Sequence, residues 1–263
     1  MYASKYFEGL MLNLLKGQTI SIPGPLYLGL FLSNPGDTGT GGTEISYNRY
    51  ARQVITFSNP TPSGNGLMTQ NSQMISYEEA DSSVGTATVT HVAVFDDLTS
   101  GNMLLYGWLD TALVVQAGVS PVFRAGSVKW IWSGNFSAYY RDKIMRTLIG
   151  TTLSGIGTPY IGLFNGNPET TGAELTGDNY ARIAVTFSNP SYVTTDGPTS
   201  VNNTADVMSN ISTSNWSSLT HVAICDASSG GNAFAIIPLG RTYTITLGTA
   251  VGFHAGDLQV NVN

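Results

Sequence analysis

The sequence predicts a mainly β protein built from two tandem antiparallel β-sandwich domains, each preceded by one amphipathic α-helix. The first observation behind this is that one series of motifs occurs twice along the 263 residues. The second is the composition, because only 11% of residues are charged while Gly, Ser, Thr and Asn are abundant. The third is that short apolar runs bounded by Gly, Pro and Asn follow each helical segment, without strand–helix–strand alternation.

The repeat defines the domain organisation. Matching motifs are separated by a constant number of residues as far as Pro35 and Pro168. From Tyr50 and Tyr180 onward the separation is smaller and again constant. This predicts a single length difference between the copies, between Asn34 and Tyr50. The period exceeds that of solenoid repeats, so each copy is expected to close its own core. We therefore expect two domains, residues 1–134 and 135–263. The paired motifs are residues 27–31 and 160–164, 50–52 and 180–182, 56–60 and 186–190, 90–94 and 220–224, 101–102 and 231–232, and 123–126 and 253–256.

The first element of each copy is predicted to be a helix. In the first copy apolar residues recur at helical spacing over residues 6–15, after the N-cap candidate Ser4 and before the stop signal Gly17. The second copy repeats this pattern, with Ser137 and Gly150 at the matching places. We expect the apolar face of each helix to be covered by its own β domain.

The remainder of each copy is predicted to form strands and turns. Residues 89–95 and 219–225 are apolar on both faces, as in a central strand. Residues 62–85 and 191–218 are polar, so we expect exposed loops there, with weaker strands at 74–75 and 207–211. The other predicted strands are residues 26–32, 52–57, 103–109 and 122–132 in the first copy and 159–164, 182–187, 233–239 and 252–262 in the second.

Charge and cysteine content narrow the class of protein. The net charge is −6, from 17 acidic and 11 basic residues, and no basic patch is present, so direct nucleic-acid binding is not expected. The single cysteine, Cys225, cannot form an intrachain disulfide, and the matching Phe95 suggests a small buried apolar residue. No secretory signal and no apolar stretch of about 18 residues is found, so we expect no membrane insertion.

Catalysis is not predicted. His91 and His221 recur in both copies, but a histidine among apolar strand residues is more often packed or hydrogen-bonded than catalytic. Asp96 and Asp226 follow at a turn and are expected to hydrogen-bond that turn. His254 has no counterpart and cannot belong to a duplicated site. We therefore expect a protein that is not an enzyme.

Metal and phosphate sites are not predicted either. The paired acids Asp96 and Asp97 are not kept in the second copy, which has Ala227 at the second place. The glycine-rich residues 36–42 lack the following helix and the Lys-Ser/Thr of a phosphate loop. Neither a metal nor a cofactor is expected.

Arginine and tryptophan supply the remaining candidates. Arg52 and Arg182 match in the two copies and face either an acid inside the domain, which we favour, or a partner. Trp130 and Trp132 alternate near the domain junction, which has no flexible linker, and either pack the inter-domain contact or meet a neighbouring subunit. Together with Trp216 they are the interface candidates.

The motif series resembles a family of small virion proteins of tailed bacteriophages, described as tail fibre proteins. The resemblance is carried by the helix, Tyr-Leu-Gly-Leu-Phe at 27–31 with the following Asn-Pro, and the later motifs in order. Members typically carry one such unit, and this chain looks like two units fused end to end. The first copy departs from the family at Leu98 and Ser100, whereas residues 226–232 are closer to it. The resemblance implies a virion protein and offers no catalytic residues.

These observations predict a structural virion protein that is assembled in the host cytoplasm and acts by docking. It would be a tail or fibre-attachment component (an adaptor, collar or baseplate protein), present in multiple copies on a symmetric particle. One unit would be anchored and the other would bind a second protein. No heptad, collagen-like or short β-helix period supports a fibre shaft. Its partners would be tail, portal-adaptor, fibre or capsid proteins.

Alternatives remain at this point. One is a capsid decoration protein. Another is a host-surface carbohydrate-binding module, which would expose aromatic residues in stretches 62–85 or 191–218 and contact a host glycan. A polysaccharide depolymerase is the most distant. Shared residues mainly encode the fold, so function is expected where the copies differ: loop 36–48, the polar stretches and the Trp-rich junction.

Overall fold

The computed structural model of the protein describes residues 1–194 and 197–262. Thr195 and Asp196, inside the stretch predicted to be an exposed loop, lie outside the described residues, as does Asn263. Helix α1 spans Lys5–Asn13 and continues as a 3-10 turn over Leu14–Lys16, and helix α2 spans Ala138–Thr147. Neither of these described helices is long and apolar enough to cross a membrane.

The helix ends are those that the sequence predicts. The Ser4 hydroxyl accepts a hydrogen bond from the Phe7 amide at 3.2 Å, and Ser137 caps α2 in the same way. Gly17 and Gly150 follow the helical segments with φ of 79° and 84°, a left-handed conformation that glycine adopts without steric cost. Local capping chemistry therefore fixes where each repeat begins.

The first repeat contains ten strands, which pair into antiparallel sheets. They are β1 (Tyr2–Ala3), β2 (Leu26–Phe31), β3 (Gln53–Ile55), β4 (Thr61–Ser63), β5 (Gly66–Gln70), β6 (Ile75–Ser76), β7 (Thr86–Phe95), β8 (Met103–Gln116), β9 (Val122–Phe123) and β10 (Lys129–Trp132). The main sheet has the order β1-β8-β7-β2-β3, a second sheet has the order β10-β5-β4, and β6 pairs with β9.

The second repeat forms a similar set of sheets. Its strands are β11 (Tyr160–Asn165), β12 (Ala173–Glu174), β13 (Ile183–Ala184), β14 (Thr199–Asn202), β15 (Val207–Met208), β16 (Leu219–Cys225), β17 (Ala233–Tyr243), β18 (Gly252–Phe253) and β19 (Gln259–Val262). The main sheet has the order β12-β11-β16-β17 with β13 beside β11, and β14-β19 and β15-β18 are two-stranded. The prediction of two antiparallel β-sandwiches with a helix before each is confirmed.

The polar stretch 62–85 contributes more structure than predicted. Its residues form β5, which pairs with β10 so that Thr69 lies opposite Trp130. The buried Asn71 side chain follows, and its amide donates to the carbonyls of Gln73 and Arg124 at 2.7 and 2.9 Å. The expectation of exposed loops is therefore wrong for β5 and Asn71, because backbone pairing buries polar residues whose hydrogen bonds are satisfied inside the fold.

Asn71 also corrects the alignment of the repeats. Asn203 makes the same bonds, to the carbonyls of Ala205 and His254, so it is the structural counterpart of Asn71. The matching motifs before and after the polar stretch are separated by the same number of residues, and that separation would instead match Asn71 with Val201. The expectation of a single length difference is therefore wrong, because a second, compensated one lies inside the polar stretch.

The two repeats share apolar packing. Helix α1 packs on β8 of its own repeat and on β14 and β19 of the other, while α2 packs on β17 and on β5 of the first repeat. The largest cluster of buried apolar residues accordingly includes side chains of both repeats. The expectation that each helix is covered by its own domain is thus only half right, because each helix also packs on a sheet of the other repeat.

An approximate twofold axis relates the repeats. Ile20 and Leu153, which hold the same position in the two copies, form an antiparallel bridge in which each amide donates to the other's carbonyl at 2.8 Å. Direct pairing of equivalent residues is the mark of an isologous contact, in which one surface meets its own counterpart.

Candidate functional site

The recurring arginines lie in duplicated ionic clusters inside the protein. Arg52 donates to both carboxylate oxygens of Glu44, at 3.0 and 2.9 Å, and to the carbonyls of Asp97 and Ser100. The Tyr50 hydroxyl donates to the same carboxylate at 2.7 Å. The guanidinium also lies over the ring of the neighbouring Phe95.

The second repeat builds the same cluster. Arg182 donates to Glu174 at 2.7 and 2.8 Å and to the carbonyls of Ala227 and Gly230. The Tyr180 hydroxyl donates to the carboxylate at 2.8 Å. The favoured prediction of an acid partner inside each domain is confirmed. These bidentate pairs tie the start of the short strand to a turn, so their role is structural.

The aspartates after the central strands hold turns, as predicted. Asp96 accepts from the amide and side-chain nitrogens of Asn102 at 2.6 and 2.9 Å. Asp226 and Asn232 repeat this geometry at 2.7 and 3.0 Å. Their carboxylate oxygens are thereby engaged within each hairpin turn.

The recurring histidines have an equally local environment. The Nδ1 atom of His91 lies 2.8 Å from the hydroxyl of the preceding Thr90, and His221 repeats this contact with Thr220. Burial lowers the pKa of His91 and so favours the neutral ring. Burial also raises the pKa of the Cys225 thiol to about 11. Among residues 1–194 and 197–262, no three His, Cys, Asp or Glu side chains are grouped as metal ligands.

The three tryptophans predicted as interface candidates are all buried. Trp130 and Trp132 stack with ring centroids 5.5 Å apart. Trp132 also contacts Phe136, at 5.3 Å, and Tyr140 of α2. Both indoles thus lie inside this chain, where the first repeat meets the second helix. An interface with another virion protein stays a prediction for them.

Trp216 has a separate location within the second repeat. Its ring meets Tyr180 edge-on at 5.4 Å, and its indole nitrogen donates to the Asp178 carbonyl at 3.3 Å. Only 4% of its surface is exposed. The interface role proposed for Trp216 likewise stays a prediction.

An exposed aromatic surface lies instead on the main sheet of the first repeat. Tyr2 of β1 pairs with Tyr106 of β8, and Trp108 follows two residues later on the same face. Their rings are close, with Tyr2 5.9 Å from Tyr106 and 5.4 Å from Trp108. Trp108 is 61% exposed and Tyr2 is 46% exposed. We call these three residues the aromatic face.

Two grooves border the aromatic face, and Tyr2 and Trp108 line both. The groove of about 350 Å³ is also lined by Asn34, Asp37 and His91. The groove of about 430 Å³ on the other side includes apolar and charged residues, among them Met1, Phe123, Lys129, Asp110 and Ile131. The face therefore combines apolar rings with hydrogen-bonding neighbours, as the buried centre of a protein interface does.

The second repeat lacks these aromatic residues. Trp108 lies opposite His91 in the first main sheet, and Pro238 lies opposite the equivalent His221 in the second. By the same register, Tyr106 corresponds to Ile236, which is buried, and Tyr2 corresponds to Asn135. The alternating Tyr106 and Trp108, in a strand whose counterpart has proline, are a sequence signal for this site, whereas exposed aromatic residues were expected in the polar stretches.

Those polar stretches hold few exposed rings in the described residues. Tyr77 and Trp216 are buried, whereas Tyr192 is exposed. Loop 36–48, where the repeats differ in length, does contribute to the site. Its Asp37 accepts a hydrogen bond from the Tyr106 hydroxyl and lines the polar groove. Loop 36–48 therefore borders the aromatic face, and the expectation that function lies where the copies differ stays a prediction.

Comparison with protein families gives one match, found twice. The family described as podophage GP4 fiber I protein gp80 matches residues 2–131 and again residues 135–261. No curated protein matches the sequence. The two matched segments together include nearly the whole chain, and they agree with the resemblance to tail fibre-like virion proteins. The chain belongs to the podophage GP4 fiber I protein gp80 family and carries two copies of the family unit in tandem.

Proposed function

We propose that this protein is a non-enzymatic structural component of a tailed-phage virion, which docks to other virion proteins in the tail or fibre-attachment region. Family membership supports a phage structural protein. The observation that carries the docking role is the aromatic face, which exposes Trp108 and Tyr2 in the first repeat only. Exposed tryptophan and tyrosine side chains that lie together are typical of the energetic centres of protein interfaces.

The second repeat has a different exposed apolar surface. Met208, Ile211 and Leu247 are each at least 60% exposed. Ile211 and Leu247 lie on adjacent segments, since the Ser212 hydroxyl donates to the Thr246 carbonyl at 2.5 Å, and Met208 lies on the nearby β15. The strand register equates Met208 with Ser76 of the first repeat. One scaffold thus presents two dissimilar surfaces, which suits an adaptor, collar or baseplate component that joins two different neighbours.

The charge distribution fits partners that are proteins. The duplicated Arg–Glu clusters are bonded within the chain, and the net charge is −6, so neither feature offers a phosphate-binding surface. We propose residues 1–134 and 135–263 as the two docking units. The protein would be present in several copies on the particle after assembly in the host cytoplasm. A capsid decoration protein would use the same docking chemistry at another location.

A second candidate function is binding of a host-surface glycan. The observation that favours it is the polar groove beside Trp108, where Asn34 and His91 lie next to exposed aromatic rings. Sugar rings stack on aromatic side chains while neighbouring polar groups hydrogen-bond their hydroxyls. The two candidates use the same residues but predict different defects.

Particles made with Trp108→Ala protein distinguish them. The control is Pro238→Ala, at the matching place of the second repeat. Docking predicts that Trp108→Ala lowers the amount of this protein in purified particles, whereas Pro238→Ala leaves it unchanged. Normal incorporation with reduced adsorption to host cells would favour glycan binding. Normal incorporation with normal adsorption would reject both roles for the aromatic face.

A further inference from the structure

We infer that the two repeats are a matched pair, in which each repeat binds the other through a quasi-symmetric interface and one buried polar cluster favours first-with-second pairing over pairing of identical repeats. The partner of each repeat is thus the other repeat of this chain. Their association does not depend on the peptide bond that joins them. Asp37 belongs both to this interface and to the groove beside the aromatic face, whereas the variants tested below change neither Tyr2 nor Trp108.

The interface is reciprocal at the helix ends. The last-turn cation Arg146 of α2 donates to the side chain of Asn59 in the first repeat at 3.3 Å. Lys16, after α1, donates to Asn189 of the second repeat. Asn59 and Asn189 are equivalent residues of the motif Thr-Phe-Ser-Asn-Pro, which is identical in the two copies. Each repeat thus offers the same acceptor to a cation near the helix end of the other, although the two donors are not equivalent residues.

Near the axis, Tyr140 makes a hydrogen bond between the repeats that its counterpart in the first repeat cannot make. Tyr140 of α2 is fully buried, and its hydroxyl donates to the Met11 carbonyl of α1 at 2.5 Å. Its ring also contacts Trp132 of the first repeat. The residue that matches Tyr140 in the first repeat is Phe7, which has no hydroxyl. The axis region therefore already distinguishes the two repeats.

One off-axis cluster crosses between the repeats without a symmetric counterpart. Lys5 bonds to Glu8 at 2.9 Å and Asp37 at 3.2 Å in its own repeat, and donates to the Gly197 carbonyl of the other. The Thr199 hydroxyl donates to Glu8 at 2.5 Å. The side chains of Lys5 and Glu8 are 4% and 1% exposed. We call Lys5, Glu8, Asp37 and Thr199 the Lys5 cluster.

Sequence differences make the Lys5 cluster specific to the mixed pair. The places of Lys5 and Glu8 are taken by Ala138 and Arg141 in the second repeat. The strand pairing that matches Asn71 with Asn203 also matches Leu67 of the first repeat with Thr199 of the second. Two first repeats would therefore bury the Glu8 carboxylate against leucine, and two second repeats would bring Arg141 to Thr199. In the first case Glu8 would keep its ion pair with Lys5 but lose the hydrogen bond from Thr199, and the loss of a hydrogen bond to a buried carboxylate is destabilising.

The test uses the full chain with a protease recognition sequence inserted between Gly134 and Asn135, both exposed. After cleavage, the two fragments should elute together at the mass of the intact chain in size-exclusion chromatography. After separation in urea and remixing, they should form a one-to-one mixed complex. Elution as separate fragments, or formation of identical-repeat dimers in equal amounts, would overturn the inference.

Variants of the cleavable chain test which residues make the pairing of the two repeats specific. Thr199→Val keeps the side-chain shape but removes the donor to Glu8, and should raise the dissociation constant of the fragments at least about tenfold. The control Thr204→Val changes a threonine whose hydroxyl contacts Thr186 of its own repeat, and should leave it unchanged. Lys16→Met tests the reciprocal contact independently and should also weaken the complex. Wild-type affinity in both interface variants would contradict the assignment.

Discussion

Trp108 and Pro238 hold the same position in two copies of one fold, each directly opposite the equivalent histidine of the neighbouring strand. The backbone pairing is shared, but only the first copy presents a large exposed ring there. Because the fold does not require an exposed tryptophan at this position, its presence is better explained by contact with another molecule. The two repeats thus separate what the scaffold needs from what the site needs.

Trp108 should differ from the other three tryptophans in solution. Its 61% exposure contrasts with 7% or less for Trp130, Trp132 and Trp216. Acrylamide should therefore quench a fraction of the fluorescence readily, and Trp108→Phe should abolish that fraction. Trp216→Phe is the control and should retain it. Equal accessibility of all four indoles would contradict the structure.

The duplicated ionic clusters should be stabilising in both repeats. Arg182→Ala removes four hydrogen bonds and leaves the partly buried Glu174 with only the Tyr180 hydroxyl as a partner. We expect the free energy of unfolding in urea to fall by about 1–3 kcal/mol, and Arg52→Ala to have a similar effect.

An exposed ion pair supplies the control for this experiment. Arg146 and Asp142 are each about a third exposed at a 2.7 Å contact. Asp142→Ala removes this pair and should cost less than about 1 kcal/mol. A loss as large as that of Arg182→Ala would mean that burial of the clusters does not determine their strength.

The sequence was sufficient to predict the structure wherever a structural element depends on neighbouring residues. Ser4, Gly17 and their counterparts marked the helices because capping depends on a few neighbouring residues. It was insufficient for β5, where Thr69 is buried only because its strand pairs with β10, far along the chain. A polar composition cannot reveal such burial in advance.

The stability of the second repeat should depend on pH through Glu174. Burial alone would raise the pKa of Glu174, but hydrogen bonds from Arg182 and Tyr180 outweigh burial and hold it below its usual 4.5. A carboxyl with a lowered folded-state pKa binds fewer protons in the folded protein. Its stabilisation is therefore present above about pH 4.5 and is lost as the pH falls through the folded-state pKa.

The measurement is the melting temperature of wild-type and Glu174→Gln proteins across this range. Wild-type protein should lose melting temperature between about pH 5 and about pH 3 more steeply than the variant, since glutamine does not titrate. Parallel profiles would show that Glu174 is not ionised against Arg182.

The Cys225 thiol should be unreactive in the folded protein. Burial raises its pKa to about 11, so the thiolate is scarce near neutral pH, and the residue is 1% exposed. A thiol reagent at pH 7.5 should label it only after urea unfolding. Val193→Cys, at a fully exposed position, provides a positive control that should label at once. Rapid labelling of native wild-type protein would contradict the burial.

Neither the contact between the repeats nor the aromatic face could be predicted from the sequence. Spacing identifies equivalent residues but does not indicate that Ile20 and Leu153 pair with each other. The alternation of Tyr106 and Trp108 is compatible with either a buried or an exposed strand face. Exposure there depends on which face of the sheet the rest of the fold covers, and Trp108 is exposed whereas Leu105 of the same strand is buried.

The central claim is that the aromatic face is a docking site within the virion. Electron cryomicroscopy of the intact particle, at a resolution that shows side chains, tests this most directly. We expect Tyr2 and Trp108 to be covered by a neighbouring virion protein, while Pro238 of the second repeat is not part of the same contact. A reconstruction in which Trp108 of the bound protein faces open solvent would contradict the claim.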